Sequence, residues 1–362
     1  MDTALDLSSD LLSLTRAVCD LPSVSGDERA LADAIENALA QHSHLEVLRD
    51  GDTIVARTHL GRSSRVVIAG HIDTVPVADN LPTRLVGEGA QAELWGRGTV
   101  DMKGGVAVQL ALAAELSAPT RDVTWVFYDH EEVAAELNGL GRIVREHPDW
   151  VAGDFAILGE PTNGGIEGGC NGTLRAEVLL TGVAAHSARA WMGSNAIHAA
   201  GEVLRRLEAY TPADVEVDGL VYRESLNAVL ISGGTAANII PDACVVTVNY
   251  RFAPSASVEQ ASAHVRELLD GYDVVIVDAA PGARPGLDDP AAQEFTRAVL
   301  AITGGAPAAK YGWTDVARFS ELGVPAVNFG PGDPLLAHKD DEHCVVGQIT
   351  LVHAALRDWL TA

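Results

Sequence analysis

The sequence predicts an α/β fold in which a mainly parallel, mixed sheet is interrupted by a smaller α+β domain. Three observations lead there. Val66-Val67-Ile68-Ala69 is an apolar, β-branched run of the kind buried on both faces of a sheet, ended by Gly70 and followed by His71-Ile72-Asp73. Strand-like and helix-like segments alternate up to about Gly169, the texture of a parallel sheet covered on both sides. From Thr173 the pattern turns to half-exposed alternation, and Ala280-Pro281-Gly282-Ala283-Arg284-Pro285-Gly286 then punctuates a return to the first texture.

The apolar spacing of Asp6 to Leu21 suits a helix, stopped by Pro22. Ser25-Gly26-Asp27-Glu28 supplies a cap and an acidic first turn for a second helix ending near Ala40. Strands follow near Leu45–Leu48 and Thr53–Thr58, then the 66–69 run. The glycine-rich Trp95–Gly105 loop leads into a helical stretch from Val106 to Leu116. Val123–Tyr128 and Phe155–Gly159 are further apolar strands, and Ala326–Gly330 is a late one. Between them, strands at 174–180, 226–232, 243–251 and 274–277 alternate with helices at 195–207 and 257–269. Two helices on four strands make an α+β layer, inserted at 174–284. The larger domain then comprises 1–173 and 285–362.

A length of 362 residues exceeds one comfortable core, in keeping with two domains. Hydrophobic residues make up 47%, yet no apolar run is long enough to span a bilayer, so no membrane role is expected. A formal charge of −25 argues against nucleic acid, whose phosphates require Lys and Arg. The acidic start, Met1-Asp2-Thr3-Ala4-Leu5-Asp6, lacks the basic region of a secretory signal. Cys19, Cys170, Cys244 and Cys344 are scattered without CxxC spacing, which suggests unpaired thiols in a cytoplasmic protein.

The chemistry gathers at strand ends, where open α/β sheets place their sites. His71 ends the first strand, and Asp73 stands where it could hold the second ring nitrogen of a metal-bound imidazole. An isolated histidine at a strand end is more often structural, but the arrangement recurs. Val123–Tyr128 runs into Asp129-His130-Glu131-Glu132, Phe155–Gly159 into Glu160, and Ala326–Gly330 through a loop to His338. Asp101 falls at a loop-to-helix junction. Two histidines and three carboxylates at one sheet edge suit zinc or a similar divalent ion. The alternative is a set of ordinary polar loop ends.

The order His-x-Asp, Gly-Arg-Gly-x-x-Asp-Met-Lys-Gly, Glu-Glu, Gly-Glu-Pro and a late histidine resembles the dinuclear zinc aminoacylase/carboxypeptidase superfamily over essentially the whole chain. The resemblance implies a zinc-peptidase-like catalytic domain with an inserted lid/dimerisation domain. It implies His71, Asp101 and Glu160 on one zinc and Asp101, Glu132 and His338 on the other, with cobalt or manganese as possible substitutes. It further implies a cis peptide after Asp101, Asp73 as partner of His71, and Glu131 as general base. His338 is preferred to His343 because it precedes a short linker and Glu342.

His186 matches a lid histidine that reaches into the active site of a dimer partner. Asn238, Arg251 and Thr314 match positions near the substrate. Gly182–Arg189 and Asn328–Lys339 are most similar to the branch that removes succinate from N-succinyl-LL-2,6-diaminopimelate, in lysine and cell-wall precursor biosynthesis. Acetylornithine deacetylation or another N-acyl-amino-acid hydrolysis is the alternative, and a non-catalytic binding protein a distant one. Cys170-Asn171, Arg189-Ala190 and Trp313 depart from the proteobacterial pattern. Succinyl recognition is then expected from Arg189 or Arg175.

Overall fold

Four parallel strands form the centre of the larger sheet in the computed structural model, which describes residues 4–362. The sheet runs in the order Glu46–Asp50, Thr53–Arg57, Asp122–Tyr128, Arg65–His71, Phe155–Leu158, Ala326–Asn328, Glu167–Gly168, Ala308–Ala309. The outer Thr53–Arg57 and Glu167–Gly168 strands pair antiparallel with their inner neighbours. Their sequences explain their places. Val66, Val67, Ile68, Trp125, Val126, Phe127, Ile157 and Leu158 are all buried, facing both covering layers. Each such aliphatic side chain contributes about 1.5–3 kcal/mol by leaving water.

Helices Leu11–Asp20, Arg29–Leu39, Lys103–Glu115, Pro290–Thr303 and Val346–Thr361 supply the same core. Lys103–Glu115 is apolar nearly all round, as befits a helix with no solvent face. Its bounds begin three residues before the expected Val106. The first helix begins at Leu11, not Asp6, because the Asp10 side chain accepts the Ser13 N–H and caps it there. The second begins at Arg29 with no acidic residue in its first turn. Glu28 is spent elsewhere, as described below.

This larger unit comprises residues up to Gly168 together with Gly286–Ala308 and Arg318–Ala362. Because its four central strands are parallel, their carboxyl ends lie along one edge. His71, the Asp129–Glu132 turn, Glu160 and the loop to His338 all leave from that edge.

The second unit comprises Gly169–Pro285 and Ala309–Ala317. Its antiparallel sheet has the order Ser225–Gly233, Ala243–Phe252, Gly172–Thr181, Asp273–Ala280. Helices Ala196–Ala209 and Val258–Leu268 bury Ala200, Val203, Ala261 and Val265 against it. The Ala309–Ala317 segment is held within this unit: the Asn171 N–H donates to Lys310 O, and Trp313 Nε1 donates to Pro281 O. The outer strand Ser225–Gly233 is exposed along most of its length, including Val229, Leu230 and Ile231.

Candidate metal centre

The Asp101 carboxylate is the junction of the site. Its Oδ1 lies 3.0 Å from His71 Nε2, and its Oδ2 lies 3.2 Å from His338 Nε2. His338 Nε2 also lies 3.0 Å from Glu132 Oε1. Donor atoms of His71, Asp101 and Glu160 fall within 4.8 Å of one another, as do those of Asp101, Glu132 and His338. A third such group joins His71, Glu131 and Glu132. The structure thus brings together all five residues expected as ligands, together with Glu131.

Local packing makes this convergence possible. A Cβ on Gly105 would sit 2.3 Å from Gly159 O, and one on Gly330 would sit 2.2 Å from that same oxygen. Only glycine lets the helix after Asp101, the turn before Glu160 and the strand end leading to His338 meet at this carbonyl. The Asp101–Met102 peptide is cis, as the resemblance implies.

Glu342 fixes the Asp101 turn. Its buried Oε1 accepts the N–H groups of Val100 and Asp101 at 2.9 and 3.2 Å, and Oε2 accepts from Arg97 Nη1 at 2.9 Å. Burial raises the Glu342 pKa, partly offset by those N–H donors. In the sequence Glu342 stands out only by its place after His338. The available signal is Arg97, a cation inside a glycine-rich motif that must find an acceptor if the loop is buried.

Asp73 meets the His71 ring most closely through its backbone. His71 Nδ1 lies 3.0 Å from the Asp73 backbone carbonyl and 3.5 Å from its carboxylate. The carboxylate also accepts the N–H groups of Glu131 and Glu132 at 3.0 and 3.1 Å, and the Ser25 hydroxyl at 2.6 Å. Burial works to raise the Asp73 pKa, but His71 and these donors hold it below the usual carboxylate value.

The donor set is chemically fit for a pair of divalent cations. It offers two imidazoles and three carboxylates, no thiolate, and one carboxylate whose two oxygens face two different histidines. Burial favours neutral His71, yet Asp101 and Asp73 hold its pKa well above the ordinary value. Asp101 and Glu132 push His338 up to about 10 against its burial. The Asp101 carboxyl is held far below its usual value, as the two histidines outweigh burial.

His343 is half-buried, not exposed. It lies in strand His343–Val345 with its ring stacked on Trp95 at 4.4 Å, which occupies it structurally.

The remaining expected residues lie in the second unit. His186 is exposed, in a two-residue strand paired with Ile239–Ile240, and its Nδ1 accepts the Ala188 N–H at 3.0 Å. Asn238 is its neighbour through the Ser187 N–H to Asn238 O bond of 2.9 Å. Arg189 is exposed at a kink in the Ser187–Met192 turn. Arg251 is half-buried on the Ala243–Phe252 strand, its Nε donating to Asn249 Oδ1 at 3.1 Å. Thr314 is buried, its carbonyl accepting from Cys170 Sγ. Arg175 faces Asp278 at 3.5 Å.

A mixed, largely parallel sheet with an imidazole-and-carboxylate cluster along its carboxyl edge defines a metal-dependent hydrolase. The profile of Peptidase family M20/M25/M40 matches residues 67–362, and the chain belongs to that family. It is 55% identical over 359 residues to a Mycobacterium tuberculosis protein named succinyl-diaminopimelate desuccinylase DapE, covering 98% of this chain and 99% of the relative. It is 48% identical over 368 residues to the succinyl-diaminopimelate desuccinylase of Corynebacterium glutamicum, covering 99% and 98%. Among solved structures, Bacillus subtilis YXEP, described as a dinuclear metal-binding peptidase of the M20 family, superimposes with a TM-score of 0.69 at 18% identity, covering 97% of this chain and 96% of that one. No helix of the described residues is long and apolar enough to cross a membrane.

Proposed function

We propose that the chain hydrolyses the amide of N-succinyl-LL-2,6-diaminopimelate, releasing succinate and LL-diaminopimelate, a precursor of lysine and cell wall. The observation that carries the hydrolytic site is Asp101 facing His71 and His338 through separate oxygens, with Glu131 beside them. The two desuccinylase relatives support the choice of substrate.

Two zinc ions fit the donors: one on His71, Asp101 and Glu160, the other on Asp101, Glu132 and His338, with cobalt or manganese as substitutes. When bound, such a pair acts as a Lewis acid, making water more acidic and the amide carbonyl more electrophilic. Glu131 accepts the proton released as water adds to the carbonyl carbon. As the C–N bond breaks, Glu131 returns that proton to the departing nitrogen, so it is unchanged at the end of the cycle. Asp73 holds the backbone of the Glu131–Glu132 turn during this exchange.

Residues 174–284 serve as a lid and dimerisation domain. The exposed Ser225–Gly233 edge and the exposed Ile197 and Leu204 of the Ala196–Ala209 helix favour pairing with the same surface of a second copy. In such a homodimer His186 donates to the developing oxyanion in the partner's site. Asn238, Arg251, Thr314 and Arg189 contact the substrate, with an arginine as the partner of the succinyl carboxylate. Four buried, unpaired cysteines favour the cytoplasm.

The test compares kcat/KM of the metal-loaded enzyme on N-succinyl-LL-diaminopimelate and on N-acetylornithine. Faster turnover of the acetyl compound overturns the desuccinylase reading. Unchanged turnover by Glu131→Gln overturns the catalytic role of that residue.

A further inference from the structure

Residues 21–28 supply no metal donor, yet they bind three of the segments that do. Lys103 Nζ, buried two residues beyond Asp101, donates to Leu21 O at 2.7 Å and Ser23 Oγ at 3.0 Å. Ser23 Oγ donates to Ile72 O at 2.6 Å, next to His71. Ser25 Oγ donates to the Asp73 carboxylate, and the backbones of Val24 and Thr74 pair as a parallel bridge. The stretch ends at Glu28, only 1% exposed. Its Oε2 accepts the Gly26 N–H at 2.9 Å, and its Oε1 accepts the His130 N–H at 3.2 Å.

The turn that carries Glu131 and Glu132 therefore offers three successive N–H groups to two buried carboxylates. His130 donates to Glu28, Glu131 to Asp73 Oδ1 and Glu132 to Asp73 Oδ2. His130 adopts φ of 60°, a left-handed conformation unfavourable for a side-chain-bearing residue. Something must hold it there. Asp73 anchors the turn on the Glu132 side, and Glu28 anchors it on the other. With Glu28 removed the peptide before His130 can rotate and His130 is no longer held left-handed, which swings the following Glu131 carboxylate relative to its neighbours.

We propose that Glu28 is a positioning residue for Glu131, acting through the His130 N–H. The proposal rests on Glu131 being the general base. A displacement of about 1 Å in a catalytic group costs up to about 100-fold in rate, while the ligands themselves keep their other supports.

The experiment uses the full-length, metal-loaded enzyme with the succinylated substrate. Glu28→Ala, and Glu28→Met if the alanine variant does not fold, are brought to the same metal content as the parent and assayed for kcat and KM. The expected result is a kcat lower by about 10- to 100-fold with KM within about twofold. Glu28→Gln, which keeps one acceptor oxygen, recovers part of the loss. In a Glu131→Gln background the Glu28 substitution lowers the residual rate no further, because the two act through one group. A kcat within about twofold of the parent in the folded Ala or Met variant overturns the proposal. So does a loss that only tracks metal content, or an equal further loss in the Glu131→Gln background. Full turnover by Glu131→Gln alone instead removes the base assignment, a result separable from any of these.

Discussion

Asp73 Oδ1 accepts the backbone N–H of Glu131 at 3.0 Å, so a residue beside one histidine governs a turn that lies 58 positions away. Replacing Asp73 by Asn leaves the His71 contact to the Asp73 backbone carbonyl intact but removes one of two charged acceptors from the turn. Asp73→Asn is expected to lower kcat by about 10- to 100-fold. Metal content measured on the same samples separates this from loss of ions: the expected outcome keeps most of the metal.

Metal uptake should depend on pH with a definite sign. In the ion-free protein His338 titrates at about 10, and His71 well above its usual value. The raised value keeps the His338 imidazole protonated at neutral pH, and a protonated imidazole must lose its proton to bind a cation. Loading at pH 7 is expected to release about one proton per subunit from His338, with the raised His71 adding to it. Calorimetry in two buffers of different ionisation enthalpy reads this number, and affinity should climb as pH rises toward 10. The linkage for folding runs the other way. A raised histidine pKa stabilises the ion-free fold fully below its unfolded value near 6.5, and that contribution fades as pH rises through about 10 for His338. Thermal scans of chelated protein should show falling stability over that window, and scans of loaded protein should not.

Arg97 and Glu342 form a buried pair, 3% and 1% exposed. Arg97→Met leaves the carboxylate without its cation, at an expected cost of about 3–5 kcal/mol in unfolding free energy. Urea denaturation of the ion-free variant measures it. Because Glu342 also holds the Asp101 N–H, weaker metal binding should accompany the loss.

The outer strand of the second unit yields a prediction about assembly. Leu230 is 67% exposed on an edge whose main chain has a neighbour on one side only. If the proposed dimer pairs through this edge, Leu230→Lys is expected to leave monomers in sedimentation, and activity to fall with them if His186 serves the partner's site. An unchanged sedimentation coefficient would remove this strand from the interface.

The central strands and the convergence of their ends were legible because burial leaves a periodic trace. Val66–Ala69 is apolar throughout and Val123–Tyr128 is apolar but for Thr124, as burial under both covering layers demands. The supports of the site left no such trace. Ser25-Gly26-Asp27-Glu28 reads as a helix cap, and a cap is the locally available use for those side chains. The Glu28 oxygens go instead to Gly26 and to His130, the latter 102 positions away. The His-x-Asp spacing points to Asp73 as a neighbour of the His71 ring, but nothing in it points to the two main-chain donors from a distant turn that its carboxylate also accepts. Hydrogen bonds between side chains and remote backbone are specified by tertiary packing, and a single sequence carries no record of them. Lys103 and Arg97 are the visible hints: cations within a glycine-rich motif whose buried donors have to find acceptors somewhere.

Gly159 O is approached by bare main chain from both Gly105 and Gly330. The gauge of the cluster is consequently set by how closely polypeptide backbones can stack, a length that no rotamer change can alter. Substituting a donor would change which ion is preferred, whereas widening the seat for a larger ion would require prising apart a helix and two strand ends.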